Sequence, residues 1–236
     1  MPTRPPFLAV APERVAEVEQ HVWSCLEARL RPLWRFEGPP EYPGFSPLYH
    51  RVPLMTSAVL VALGDSRPFF EGLFGLTPGS LTCHHHNPAE AEGSFAERLL
   101  DFTMRCWQPD IDRLDFELPP APRPFGIVLA AESEWGHSGN RKVNFRKVVD
   151  DFLKLLDVQA PVKAMVYGCY LGDEPGNAES QRDRFEYVLR TLGGHTPGEV
   201  WLFAGFPWRG DDTWAAQVHV CRIGPDGLRV VRPEWI

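Results

Sequence analysis

Residues 125–131 (FGIVLAA) form an unbroken apolar run that leads straight into Glu132-Ser133-Glu134. A short run of this kind, opened by Pro124 and closed by acids, fits a strand buried on both faces. A second apolar run, 162–170, follows Pro161 and reads the same way. Between the two, residues 143–156 set Phe145, Val149, Phe152 and Leu156 on one helical face. Residues 180–192 form a charged amphipathic helix closed by Gly193-Gly194. Segments 200–206, 214–223 and 228–231 read as strands. The last two meet at Gly224-Pro225-Asp226-Gly227, a hairpin signal. Strands alternating with helices imply an α/β sheet with helices packed on it.

The first half is less regular. Val15, Val18, Val22, Leu26 and Leu30 predict an amphipathic helix over 12–31, with Pro12 in its first turn and Pro32 at its end. Residues 37–49 are a Pro/Gly-rich connection. In the apolar stretch that follows, 58–63 fits a strand and 68–74 a short helix. Ser94 and Glu97 form a capping-box pair, which predicts a helix over 95–107, stopped by Pro109. Residues 111–118 (IDRLDFEL) alternate as a half-buried strand does. The expected organisation is an N-terminal helical extension, residues 1–93, and an α/β domain, residues 94–236.

Composition narrows the function. No apolar stretch reaches the 18 or so residues of a membrane-spanning helix. The N-terminus has no cationic start followed by a long apolar run, so no secretory signal is expected. Five scattered cysteines without a C-x-x-C pair read as reduced thiols of a cytoplasmic protein. The net charge of -7 means that any anionic partner must be met by a local basic patch. There is no G-x-S-x-G elbow, P-loop or G-x-G-x-x-G. Cys83-His84-His85-His86 lacks the spacer that lets ligands wrap a zinc ion, and a surface loop is the expected reading, with zinc as the alternative. The lysines are Lys142, Lys147, Lys154 and Lys163, all in one short window.

The acids carry the chemistry. Glu132 and Glu134, two apart on a strand, project to one side of it. Asp115 lies on the strand expected before them and can join them if the two strands are neighbours. Carboxylates gathered in this way repel one another and raise their pKa values, a cost that a divalent cation relieves. Mg²⁺ takes oxygen ligands and can activate water at a phosphodiester. A glycosidase also needs two carboxyls, and about 7 Å of strand separates these two, but no sugar-binding signature accompanies them.

Over residues 94–170 this arrangement resembles the PD-(D/E)XK nuclease superfamily. There an acid on one strand is followed, on the next, by an acid, any residue and lysine. Asp115 matches the first acid and Glu132 the second. Glu134 stands where the lysine is usual. The resemblance implies a restriction endonuclease-like mixed sheet flanked by helices, with Asp115, Glu132 and Glu134 holding Mg²⁺ (Mn²⁺ as a substitute) and orienting water. Glu97 would extend the metal shell. The lysine would come from the next helix, as in relatives that move it there. Lys154 is the choice by resemblance, although helical periodicity turns it away from the apolar face. Lys142 and Lys147 lie nearer the strand end, and the assignment among the three stays open. Arg141, Lys142, Arg146 and Lys147 form a basic stretch suited to a phosphate backbone. The implied activity is hydrolysis of nucleic acid, with DNA as the expected substrate, 5′-phosphate ends and a homodimer. The alternative is a nuclease scaffold without catalysis that binds a partner or nucleic acid.

Overall fold

The computed structural model describes residues 8–33, 47–85, 100–106, 126–135, 141–169, 178–192, 196–207, 217–224 and 227–235. Among them, seven strands form one mixed sheet in the order β1 to β7. They are β1 (Leu81–His85), β2 (Phe102–Cys106), β3 (Gly126–Glu134), β4 (Val162–Cys169), β5 (Val200–Pro207), β6 (Gln217–Gly224) and β7 (Gly227–Trp235). β1, β2 and β3 are an antiparallel meander, β3, β4 and β5 run parallel, and β6 and β7 return antiparallel. α1 (Val15–Leu30), α2 (Pro47–Asp65) and α3 (Arg67–Leu73) precede the sheet. The two parallel steps are bridged by α4 (Arg141–Leu156) and α5 (Ala178–Leu192), as parallel connections require. None of the described helices is long and apolar enough to cross a membrane.

Helices cover both faces. Val18, Val22, Leu26 and Leu30 of α1 and Met55, Val59 and Leu63 of α2 share one apolar cluster with Phe102, Met104, Leu129, Ala131, Val166 and Leu202. Val148, Phe152 and Leu155 of α4 and Phe185 and Leu189 of α5 form a second cluster with Ala130, Met165, Trp201 and Phe203. Its centre is aromatic: Phe152 lies 4.6 Å from Phe185, which stacks on Phe203 at 4.8 Å. The central strands are therefore buried on both sides, which explains their unbroken apolar runs. The described residues among the first 93, which the sequence reading set apart as an extension, supply one helical layer of this sandwich and its edge strand β1.

The N-terminal segment is tied to the far side of the sheet. Val10 N–H donates to the Gly198 carbonyl at 3.3 Å, and Arg222 donates to the Val10 carbonyl at 3.3 Å. Gly198 has φ 97°, and a Cβ there would lie 2.6 Å from that of Ala9, so only glycine lets the two segments meet.

Three sequence expectations are corrected. Residues 58–63 lie inside α2, where Met55, Val59, Ala62 and Leu63 are buried at helical spacing. The helix expected over 95–107 gives way to β2 at its end. Phe102, Met104 and Cys106 turn one strand face into the apolar cluster under α1 and α2, a two-residue repeat that a helix would not give. Cys83, His84 and His85 belong to β1 rather than to a loop. The strand expected over 111–118 lies outside the described residues.

Candidate active site

β3 positions the central acid. Along it, Ala130 faces α4 and α5, while Leu129, Ala131 and Trp135 face α1 and α2. The alternation that places Ala130 beneath α4 also places Glu132 and Glu134 there. Upstream, the register skips Val128, because Met104 pairs with Leu129 and Arg105 with Ile127. This bulge puts Val128 and Leu129 in the same apolar cluster and restores the phase in time for Glu132.

Glu132 is 1% exposed. The packing face of α4 is Val148, Phe152 and Leu155, so Asp151 and Lys154 fall on its flank. From there the long Lys154 stem reaches back under the helix. Its Nζ lies 2.6 Å from Asp151 Oδ1 and 3.5 Å from Glu132 Oε2. Glu132 Oε1 is buried and has no hydrogen-bond partner among the described residues.

Asp101 completes the cluster from the start of β2. It precedes Phe102, which pairs with Ala131, and so it stands across the ladder from Glu132. Its Oδ2 accepts the Ser133 N–H at 2.9 Å and the Ser133 hydroxyl at 3.0 Å. The side chain takes over an acceptor role that backbone would fill if β2 began earlier.

The protonation of the cluster follows from burial. Burial, reinforced by the charge of Asp101, pushes the Glu132 carboxyl up to about 9, with Lys154 pulling the other way. Burial also raises Asp101, against the two hydrogen bonds from Ser133 that favour its charged form. Burial disfavours the Lys154 ammonium, but the hydrogen bond to Asp151 and the charges of Glu132, Asp151 and Asp101 outweigh it and raise its pKa. At neutral pH, Glu132 therefore holds a proton and Lys154 is charged.

The structure brings Lys154 to Glu132 by way of the helix flank. Glu134 is half-buried beside Tyr167 of β4, and the charges acting on Glu132 are those of Asp101, Lys154 and Asp151. Asp115 and Glu97 lie outside the described residues. Arg141, Lys142, Arg146 and Lys147 occupy the first turns of α4, and Arg146 is eight residues, about 12 Å of helix, from Lys154. The Arg146 side chain is 85% exposed, with Nε 3.8 Å from Asp150. Among the described residues, no three His, Cys, Asp or Glu side chains are grouped as metal ligands. Cys83 is half-buried and His84 exposed on successive positions of β1, so they face opposite ways and cannot share an ion.

Two members of the cluster were missed from sequence. Asp101 was hidden by the helix expected over its segment. Asp151 was visible as an acid three residues before Lys154, a spacing that pairs side chains on a helix.

No family model, curated protein or solved structure matches this chain. The functional reading therefore rests on the geometry and on the sequence resemblance.

Proposed function

We propose that the chain is a divalent-cation-dependent nuclease of restriction endonuclease-like type, with DNA as its expected substrate. The observation that carries this reading is the reach of Lys154, from the helix after β3, to within 3.5 Å of Glu132. The antiparallel β2–β3 pair, followed by α4 and the parallel β4, supports it, since this is the order of elements that the resemblance implies. Asp101 takes the place of the first acid in this reading, a role that sequence gave to Asp115.

The orphaned, buried Oε1 of Glu132, close to a second carboxylate, suits a hard cation. Asp101 and Glu132 would hold Mg²⁺ or Mn²⁺, which supplies polarisation of the phosphate and an acidified water when bound. Lys154, steadied by Asp151, is placed to donate to a phosphoryl oxygen as negative charge builds on it. Ser133 fixes Asp101 through two hydrogen bonds. A cytoplasmic setting and a homodimer belong to the same proposal.

The test is cleavage of plasmid and single-stranded DNA with Mg²⁺ or Mn²⁺, comparing the parent with Glu132→Gln, Asp101→Asn and Lys154→Met. Each variant should lose at least about a hundredfold in rate with its circular dichroism unchanged. Equal rates in all four proteins would remove the assignment.

A second reading, a non-catalytic scaffold that binds nucleic acid or another partner, is favoured by the 1% exposure of Glu132. A carboxyl so enclosed meets a phosphate only if the flank of α4 opens. Mg²⁺ titration by calorimetry separates the two, because the scaffold reading requires no Mg²⁺ site at Glu132.

A further inference from the structure

The α4 side of the sheet does not end at the cluster. In the β1–β2 ladder Thr82 pairs with Arg105 and His84 with Thr103. Phe102, Met104 and Cys106 point into the apolar cluster under α1 and α2. By alternation Thr103 and Arg105 point the other way, and their partners Thr82 and His84 point with them. Thr82, His84 and Arg105 are exposed. Among the described helices α4 packs on β3 and β4, and beyond it Thr82, His84 and Arg105 present an exposed polar face on β1 and β2.

That face has one chemistry. Its four side chains form a two-by-two grid of about 5 Å by 7 Å. The three exposed ones, Thr82, His84 and Arg105, offer a guanidinium, an imidazole and a hydroxyl, with no carboxylate among them, while Thr103 is buried at 6% exposure. Arg105 Nε donates to Thr103 Oγ1 at 3.2 Å, so the guanidinium lies over Thr103, the β2 residue between it and Asp101. Thr82 Oγ1 and His84 Nε2 are 3.3 Å apart and brace each other. Lys154 stands beyond Asp101, across the cluster. In a chain of net charge -7, this is a local surface of donors and positive charge leading to the proposed catalytic acids.

We infer that the β1–β2 face formed by Thr82, His84 and Arg105 seats the sugar-phosphate backbone of one nucleic-acid strand and leads it to the Asp101–Glu132–Lys154 cluster. This inference rests on the nuclease reading for its direction and identifies the substrate-binding surface of the same site. The basic turn of α4 is not needed for it. Arg105 is the phosphate anchor, because a guanidinium matches phosphate oxygens in a fork. The Thr82 hydroxyl and the His84 imidazole add hydrogen bonds that position the backbone without reading bases. A single strand suits an open sheet face, as its phosphates are free to follow it.

The test is fluorescence anisotropy with a labelled oligo-dT, an oligo-U of the same length and a duplex, in EDTA so that no cleavage occurs. Arg105→Gln should bind the single strands at least about fivefold more weakly, and its salt slope should fall by about 0.7 for each phosphate that the variant no longer neutralises. His84→Ala should weaken binding by a smaller factor. Arg29→Gln removes a cation that lies on α1, on the opposite face, and should bind like the parent. Equal weakening in Arg29→Gln and Arg105→Gln would overturn the proposal, since net charge alone would explain it. Parent-like binding by Arg105→Gln, tighter binding of the duplex than of single strands, or no binding by the parent would also overturn it. The two readings fail separately. Binding that depends on Arg105, in a protein that never cuts, removes the catalytic reading and leaves the surface. Cleavage with an Arg105→Gln KM equal to the parent's removes the surface and leaves the catalytic reading.

Discussion

Replacing Glu132 by glutamine tests the protonation of the cluster without any substrate. The carboxyl is held at about 9 in the folded protein against an ordinary 4.5. The folded protein thus keeps a proton that the unfolded chain releases. A raised carboxyl pKa contributes stability in full below the unfolded value, and that contribution is lost as pH rises towards the folded value. Each pH unit in the window is worth about 1.4 kcal/mol. Between about pH 5.5 and pH 8 the parent should therefore lose about 3 kcal/mol through this group. Glutamine has a similar shape and cannot ionise, so Glu132→Gln lacks that slope. Urea unfolding at the two pH values measures the difference, provided that the m-values agree. The variant should gain about 3 kcal/mol on the parent over this interval. Lys154→Met removes the cation that draws the carboxyl down, so its own loss across the interval should be at least as large as the parent's. A difference between Glu132→Gln and the parent that does not change with pH would refute the reasoning, because it would show that Glu132 is already ionised at the lower pH.

Two further predictions concern stability away from the cluster. Lys163 Nζ lies 3.1 Å from Glu199 Oε2 and 4.5 Å from the Trp201 ring centroid, with Lys163 1% and Glu199 2% exposed. Lys163→Met should cost about 3–5 kcal/mol by leaving Glu199 buried without its ammonium, and adding Glu199→Gln should recover most of it in urea melts. A double variant no more stable than Lys163→Met would contradict this. A Cβ at Gly205 would sit 3.0 Å from Cε2 and Cζ of the Tyr167 ring, whereas one at Gly64, in α2, would meet nothing within 4 Å. Gly205→Ala should therefore destabilise by about 1–3 kcal/mol and Gly64→Ala stabilise by about 0.5–1 kcal/mol, and equal unfolding midpoints for the two would show that the close approach is not limiting.

The parallel half of the sheet was legible because burial on both faces leaves a strong mark. Residues 125–131 and 162–170 are apolar without a break, and the helices between and after them carry their own period. The meander was obscured by competing local signals. Ser94 and Glu97 suggest a helix start, while the alternation of Phe102, Met104 and Cys106 with the polar Thr103 and Arg105 is only five residues long. That misreading concealed Asp101. In α2 the apolar residues are so dense that strand and helix patterns both fit a short window, and only the spacing from Met55 to Leu63 decides. The reach of Lys154 was set by the rotation of α4. Periodicity centred on Phe145, Val149 and Leu156 turns Lys154 outward, whereas packing centred on Val148 and Leu155 brings it to the flank beside Glu132.

Among the described residues there are two buried groupings of opposite charges, and their charge balance separates structure from chemistry. Lys163 and Glu199 are matched one to one, and the Trp201 indole N–H also donates to Glu199 at 3.3 Å. Such a pair is complete and asks for nothing from outside. Around Glu132, three carboxyl groups share one ammonium, and one carboxyl oxygen has no partner among the described residues. A fold selected for stability alone would more readily place an apolar residue at position 132, since the side chain there is 1% exposed. The deficit of positive charge can be met by a proton, which is the state that burial enforces in the free protein, or by a cation. In the proposed reading a polyanion held by Thr82, His84 and Arg105 would reach these acids once the flank of α4 opens. The Lys163 pair has no such opening, with both partners enclosed. Of the two, the grouping around Glu132 is the unbalanced one, with Lys154 and Asp151 partly exposed at its edge.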